Sequence, residues 1–181
     1  EFPVEATVWP VRVGGACSFH AFIRDITERL NAEEARKKES TLSRLLQSVT
    51  VAANRSSSIE HTVKTCLSLI CSYMGWPVGH AYLRERNSLD NLISAGIWCV
   101  EEGDRFVNFH QVTDRLGSAK MGLAGRIVTS GKPEWIANLS DLDASSDRTL
   151  SALDAGLHSG FGFPIVVEGC VIGVLEFYSL Y

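Results

Sequence analysis

The sequence lacks the features that would mark a membrane span, a metal centre or a polyanion-binding surface. No apolar run approaches the ~18 residues needed to cross a bilayer, and no charged-then-apolar leader opens the chain. The formal net charge is -4, which gives no electrostatic reason to expect nucleic acid or an anionic membrane as a partner. The five cysteines (Cys17, Cys66, Cys71, Cys99, Cys170) form no C-x-x-C pair and have no histidine at ligand spacing, so neither a disulfide framework nor a metal site is indicated. They read as reduced core thiols of a soluble, cytoplasmic protein. Cys66 and Cys71, five apart on one helix, lie about 140° apart around its axis and do not share a site.

What is present is a chain of 181 residues, 45% hydrophobic, long enough for one well-cored domain with an appendage. Phe2, Val4, Ala6 and Val8 alternate with polar or small residues, and a Gly14-Gly15 turn leads to a second strand-like run from Cys17 to Ile26. Two strands are marginal alone, so this hairpin reads as the tail of a domain whose beginning is missing; Glu1 in place of Met agrees with a piece of a longer protein. From Asp25 or Thr27, either of which can cap, a stretch without Gly or Pro runs to about Asn54. That is a helix on the order of 42 Å long at ~1.5 Å per residue. Its first half is charged; its second carries Leu42, Leu45, Leu46, Val49 and Ala53 as a stripe. Both a solvated linker and a dimerising helix fit that pattern.

Ser56-Ser57-Ser58 breaks the helix, and Ser58 can cap the next, striped by Ile59, Val63, Cys66, Leu67, Ile70, Tyr73 and Met74 and ended by Gly75-Trp76-Pro77. Strands at 78–84 and 92–100, joined through Asn87, Asp90 and Asn91, form an antiparallel meander. Between Glu101 and Met121, Phe106 and Phe109 suggest at most a short, docked helix. A short helix at 122–131, a brief strand from Glu134 to Ala137 and a polar loop follow, then a helix capped by Asp147 and stopped by Gly156. Finally, apolar residues occupy both faces of Phe161 to Val167 and Val171 to Phe177, around a Glu168-Gly169 turn. Those strands belong in the middle of a sheet covered on both sides, with Phe161 and Phe163 facing one layer and Gly162 admitting an element on the other.

From about residue 41 to Ser179 the chain resembles a GAF domain. The resemblance rests on Gly79-His80-Ala81-Tyr82-Leu83, Gly96-Ile97-Trp98, Gly122-Leu123-Ala124-Gly125-Arg126-Ile127, Trp135-Ile136-Ala137-Asn138-Leu139, Ala155 to Ile165, and Gly173-Val174-Leu175-Glu176-Phe177, in that family's order. Residues 1–26 resemble the last two strands of a PAS domain, with Arg24-Asp25-Ile26-Thr27-Glu28-Arg29 matching the handover to a connecting helix. The resemblance implies three parts: a PAS remnant at 1–26, a signalling helix at 27–55 and a GAF domain at 56–181, on which helix 41–55 packs. It further implies an α+β fold with a central antiparallel sheet of five or six strands, N- and C-terminal helices on one face, and loops and short helices roofing a pocket on the other.

On that fold, strand alternation sets His80 and Tyr82 opposite to Ala81 and Leu83 and toward the pocket. Trp98, Trp135, His158, Phe161 and Phe163 are further pocket candidates, each also explained by core packing. Leu42, Leu45, Leu46 and Val49 would form the seam of a homodimer. The cofactor is unknown: the spaced set of cyclic-nucleotide binders cannot be assembled, no cysteine neighbours a histidine as in bilin binders, and no haem or metal ligand set stands out. None of the five histidines precedes an acidic residue, as the phospho-accepting one of a histidine kinase does, and no nucleotide lid occurs. The fragment is therefore expected not to be an enzyme. The implied role is a sensory or relay module of a bacterial signalling protein of the histidine-kinase type. The alternatives are a structural spacer or dimerisation module, or the regulatory domain of a cyclic-di-nucleotide enzyme. A sulfoxide reductase would need cysteines in the pocket loops, and 101–160 has none.

Overall fold

The computed structural model describes residues 2–13, 16–55, 58–85, 91–119, 122–143 and 145–181. The proposed turn at Gly14-Gly15, the break at Ser56-Ser57 and the connection at Asn87 and Asp90 lie outside the described residues. The chain divides into two compact units, Glu1–Gln47 and Ser48–Tyr181.

In the first unit, strands β1 (Val4–Val13) and β2 (Ala16–Asp25) pair antiparallel, Val4 opposite Asp25 and Trp9 opposite His20. Direct partners share a face, so Val4, Ala6, Val8, Pro10, Phe19, Ala21 and Ile23 line one side. That side is apolar and exposed, with Val8 59%, Phe19 73% and Ile23 65% accessible. Helix α1 (Thr27–Arg55) starts where Asp25 Oδ1 accepts the Thr27 N–H at 2.9 Å and the Thr27 hydroxyl at 2.6 Å, as the sequence led one to expect of Asp25. Along α1, Leu45 and Val49 are half-buried and Leu46 is exposed; the Leu42 side chain lies outside the described ones.

The second unit is an α+β fold built on a five-stranded antiparallel sheet. Its strands are β3 (Val78–Arg84), β4 (Leu92–Val100), β5 (Glu134–Ile136), β6 (Ser159–Val167) and β7 (Cys170–Ser179), in the order β4-β3-β7-β6-β5. β7 and β3 are central, and the terminal hairpin sits mid-sheet on the β7 side. Its turn has both central residues left-handed, Glu168 at φ 51° and Gly169 at φ 80°, the geometry whose twist matches the flanking strands.

Each sheet face has its own layer. Helix α2 (Ile59–Met74), closed by Gly75 in the left-handed region, buries Val63, Leu67 and Cys71 against Ala81, Leu175 and Phe177. It packs close because Gly79 has no side chain: a Cβ there would stand 2.8 Å from Cys71 Sγ. The opposite face is covered by α3 (Val107–Leu116), α4 (Gly122–Ser130) and α5 (Asp147–Asp154), whose buried residues join Tyr82, Val174 and Tyr178 in one core. Helix α3 is longer than the short docked helix expected. Phe106 in a preceding 3-10 turn, with Phe109 and Thr113 at helical spacing, gives it a buried stripe that holds ten residues in register. The cap of α5 is Ser146 instead of Asp147, which occupies the first turn.

Gly162 in β6 admits α4, as its position among apolar neighbours led one to expect. A Cβ there would sit 2.6 Å from Ile127 Cδ1 and 2.9 Å from the Leu175 backbone oxygen. The side chain could yield but the backbone could not, so Gly162→Ala is expected to cost about 1–3 kcal/mol of stability in urea denaturation. A loss under ~0.5 kcal/mol, the range of neutral surface changes, would show that α4 is not seated on β6.

Candidate functional site

The central strands place polar residues where the sheet is otherwise apolar. In β3 and β7 the residues Val78, His80, Tyr82, Val174, Glu176 and Tyr178 alternate onto the face opposite to α2, with His80 directly across from Glu176. Both side chains are fully buried. A carboxylate cannot stay ionised in such a place without a countercharge. Arg148, in the first turn of α5, supplies it: Nη2 donates to Glu176 Oε2 at 2.5 Å and Nε to Thr113 Oγ1 at 3.1 Å. The guanidinium also lies 5.2 to 5.7 Å from the ring centres of Phe109, Tyr178 and Tyr82, within cation–π reach.

The electrostatics follow from this pair. Burial alone pushes the Glu176 carboxyl up, but Arg148 first and His80 second more than offset that, holding it below its ordinary value of 4.5. Arg148 is in turn held firmly protonated, since Glu176 outweighs the burial that works against its charge. His80 goes the other way: burial lowers it from 6.5, and Glu176 pulls it only partly back because the Arg148 charge beside it works in the opposite direction. His80 Nδ1 stands 3.6 Å from Glu176 Oε2 without a hydrogen bond, while Nε2 meets Ser94 Oγ at 2.9 Å. The Ser94 hydroxyl donates to Asp114 Oδ1 at 2.6 Å, which also accepts from Trp98 Nε1 at 3.2 Å, and His110 reaches Asp114 Oδ2 at 3.1 Å. A register shift in β4, with Gly96 at φ 64°, brings Ser94 opposite Tyr82 and so beside His80.

Between the sheet and its roof lies a cavity of about 450 Å³, within the ~300–1,000 Å³ typical of ligand pockets. Phe109, Leu139, Leu142 and Ala152 make its apolar wall; Arg148, Tyr178, Ser118 and the first turn of α5 make its polar one. The expected pocket residues distribute differently. His80, Tyr82 and Trp98 are together, His80 stacked on Trp98 at 3.9 Å and edge-on to Tyr82 at 4.5 Å, but none of the three lines the cavity. Trp98 lines a separate, more open hollow with His61, Lys64 and His110. Phe161 and Phe163 point to the α2 side, where they form an aromatic row with Phe177 and Trp135, itself 55% exposed against Trp76. Odd and even positions of β6 face opposite layers, and the cavity side of that strand belongs to Gly160 and Gly162, so those two rings cannot reach the cavity. His158 is exposed just before β6.

Sequence reasoning passed over Arg148, Glu176 and Tyr178. A lone acid inside the apolar run Val171 to Tyr178 was the available signal, because a buried carboxylate requires a cation elsewhere. Burial raises the Cys66 thiol, and burial with the neighbouring Cys99 raises Cys71, which disfavours a thiolate at those two positions. No group of three or more metal-ligating side chains occurs among the described residues, and no helix there is long and apolar enough to cross a membrane.

An antiparallel sheet with a helix on one face and a roofed cavity on the other defines a regulatory sensor fold. Residues 56–180 match the model of the GAF domain, and the chain belongs to that family. GAF domains are regulatory modules in general. Similar solved structures include the GAF domain of an Acinetobacter phosphoenolpyruvate-protein phosphotransferase, at 16% identity over 79% of this chain and 77% of that one, TM-score 0.55. The nlh2 GAF domain of A. aeolicus in an inactive state is 20% identical over 79% and 82%, TM-score 0.55. A free methionine-R-sulfoxide reductase of Neisseria meningitidis is 18% identical over 76% and 71%, TM-score 0.54. At these identities the likeness is one of fold. A comparison with curated protein sequences finds no match.

Two predictions follow from the ion pair. Glu176→Gln leaves the Arg148 charge buried without its counterion and is expected to cost about 3–5 kcal/mol, whereas the double change Glu176→Leu, Arg148→Met should recover most of it in denaturant titration. Equal losses would place the pair in water. Stability should also fall on acidification. His80 is lowered, so the unfolded state takes up its proton first, and its contribution is lost as pH drops through 6.5; that of Glu176 is lost below 4.5. In His80→Gln the first of these declines should disappear from a pH series of melting temperatures; an unchanged slope between pH 7 and 5 would assign it to another group.

Proposed function

We propose that the chain is a sensory and relay module of a bacterial signal-transduction protein of the sensor histidine kinase type. The observation that carries this reading is the roofed cavity, whose wall is shared between the sheet, through Tyr178, and the roof, through α5. A small molecule there touches both at once and can favour one packing of roof on sheet over another. The shift is passed along the chain to α1, whose stripe Leu42, Leu45, Leu46 and Val49 forms the seam of a parallel homodimer. The β1–β2 hairpin is read as the closing strands of a PAS-type domain. Its exposed apolar face is the kind of surface that further strands of one domain would cover.

The second reading, a spacer without a ligand, is favoured by one observation: the His80–Trp98 stack and Tyr82 fill their side of the sheet with side chains. Native mass spectrometry separates the two. A retained small molecule that is lost in an Ala152→Leu variant, which fills the cavity, supports the sensor; identical masses for both proteins under all loading conditions support the spacer. For the seam, light scattering should report a dimer that Leu46→Lys with Val49→Lys converts to monomer. A wild-type monomer at all concentrations would sink the dimer.

A further inference from the structure

The polar wall of the cavity has unequal demand: its donors outnumber the acceptors that meet them. Arg148 spends Nε on Thr113 and Nη2 on Glu176, which leaves Nη1 with no hydrogen-bond partner among the described residues. Nη1 stands beside Gly122, 3.8 Å from where a Cβ would be. Tyr178 lines the same wall and is 1% exposed; its hydroxyl meets no partner at ordinary hydrogen-bonding distance and angle and has only a looser contact with the Arg148 guanidinium beside it. The Ser118 hydroxyl, also in the wall, is unpartnered. Finally, α5 begins here. Its cap Ser146 makes no side-chain hydrogen bond, and the first intrahelical bond at this end is Leu150 N–H to the Ser146 carbonyl. The N–H groups of Asp147, Arg148 and Thr149 thus come without a cap at the positive end of the helix dipole.

Each carboxylate at the mouth has one oxygen engaged. Asp143 accepts the N–H and hydroxyl of Ser145, and Asp147 pairs with Arg115 at 3.3 Å on the outside. These two exposed carboxylates still set a limit on charge. With Glu176 balancing Arg148, they oppose entry of a multiply charged phosphate and leave room for one negative charge in the interior. An amine would meet Nη1 and the helix N-terminus head-on. Opposite these donors the wall is hydrocarbon and aromatic.

Resting on the sensor reading above, we infer that the cavity takes a small monocarboxylic acid with an apolar body, its carboxylate on Arg148 Nη1, the Tyr178 hydroxyl and the first turn of α5, and its body against Phe109, Leu139 and Leu142. Arg148 then bridges two carboxylates, one from the sheet and one from the ligand, as a guanidinium with five donors can. The ligand becomes a second tie between the sheet and α5.

The test is calorimetric titration of the whole chain with benzoate and hexanoate, against their primary amides and amines of the same shape. Carboxylates should bind at least tenfold tighter than either. Tyr178→Phe should weaken the carboxylates about tenfold, the value of one hydrogen bond to a charged acceptor. Its melting temperature without ligand should stay level or rise, because a poorly partnered buried hydroxyl is removed. Ala152→Leu should abolish binding. Substituting Arg148 would disturb the fold, so the Tyr178 and Ala152 variants carry the test. Amides or amines binding as well as carboxylates, with loss in Ala152→Leu, would overturn the carboxylate assignment and leave the sensor reading standing. Carboxylate binding indifferent to Tyr178→Phe and Ala152→Leu would overturn it by placing the site elsewhere. No binding by any probe, together with no retained molecule in native mass spectrometry, would overturn both.

Discussion

One buried ion pair constrains this fold more than any other contact. Glu176 stands at the centre of the sheet, on the strand that pairs with both β3 and β6, and no water reaches it. Left alone it would take up a proton or force the strand open. Arg148 keeps it ionised, and because Arg148 belongs to α5, the same bond that resolves a local electrostatic problem also fixes the roof over the sheet. The aromatic rings of Tyr82, Phe109 and Tyr178 around the guanidinium supply apolar contact and a favourable quadrupole without competing for its donors. The cavity exists where it does because α5 is held at this distance and not collapsed onto Tyr178.

The two sheet faces divide the work between static packing and polar chemistry. On the α2 side, Gly79, Ala81, Leu175 and Phe177 make a close interface, extended to the β5 edge by the row of Phe163, Phe161 and Trp135. On the other side the same strands present His80, Glu176 and Tyr178. Strand β7 therefore touches both: residues facing the cavity side alternate one by one with residues under α2. A displacement of Glu176 or Tyr178 moves Leu175 and Phe177 through the backbone, with no longer route required. Whether a given perturbation uses that link depends on α2 having a second packing to move into.

Patterns in the sequence made the scaffold legible where a local rule had one solution. Alternation assigned His80 and Tyr82 to one face and Ala81 and Leu83 to the other, Gly75 and Gly156 marked helix ends, and Glu168-Gly169 marked the turn. The site was harder to read because it depends on residues far apart in sequence. His80 looked like a pocket residue and is a neighbour of one; Phe161 and Phe163 were distinguished from Gly162 by face, but which face carried the cavity could not be fixed from the strand itself. Arg148 sits in a first turn next to Asp147 and resembles a solvated helix residue, and only folding brings it within bonding distance of Glu176. Helix α3 was underestimated for a related reason: Thr113, polar by type, completes a buried stripe because Arg148 donates to it.

The proton count around His80 gives the pair a further consequence. The Ser94 hydroxyl has one proton and donates it to Asp114 Oδ1, which also accepts from Trp98 Nε1. Ser94 Oγ can then only accept from His80, so the neutral imidazole carries its proton on Nε2 and presents a bare Nδ1 toward Glu176. Two acceptors 3.6 Å apart repel. The Arg148 guanidinium offsets the field of the ionised Glu176 there, which is why a neutral His80 is tolerated in this position. The two states are thereby linked: with Arg148 engaged, His80 stays neutral, and whatever draws the guanidinium from Glu176 increases the affinity of Nδ1 for a proton. Arg148, on the roof, thus lowers the proton affinity of His80, on the sheet.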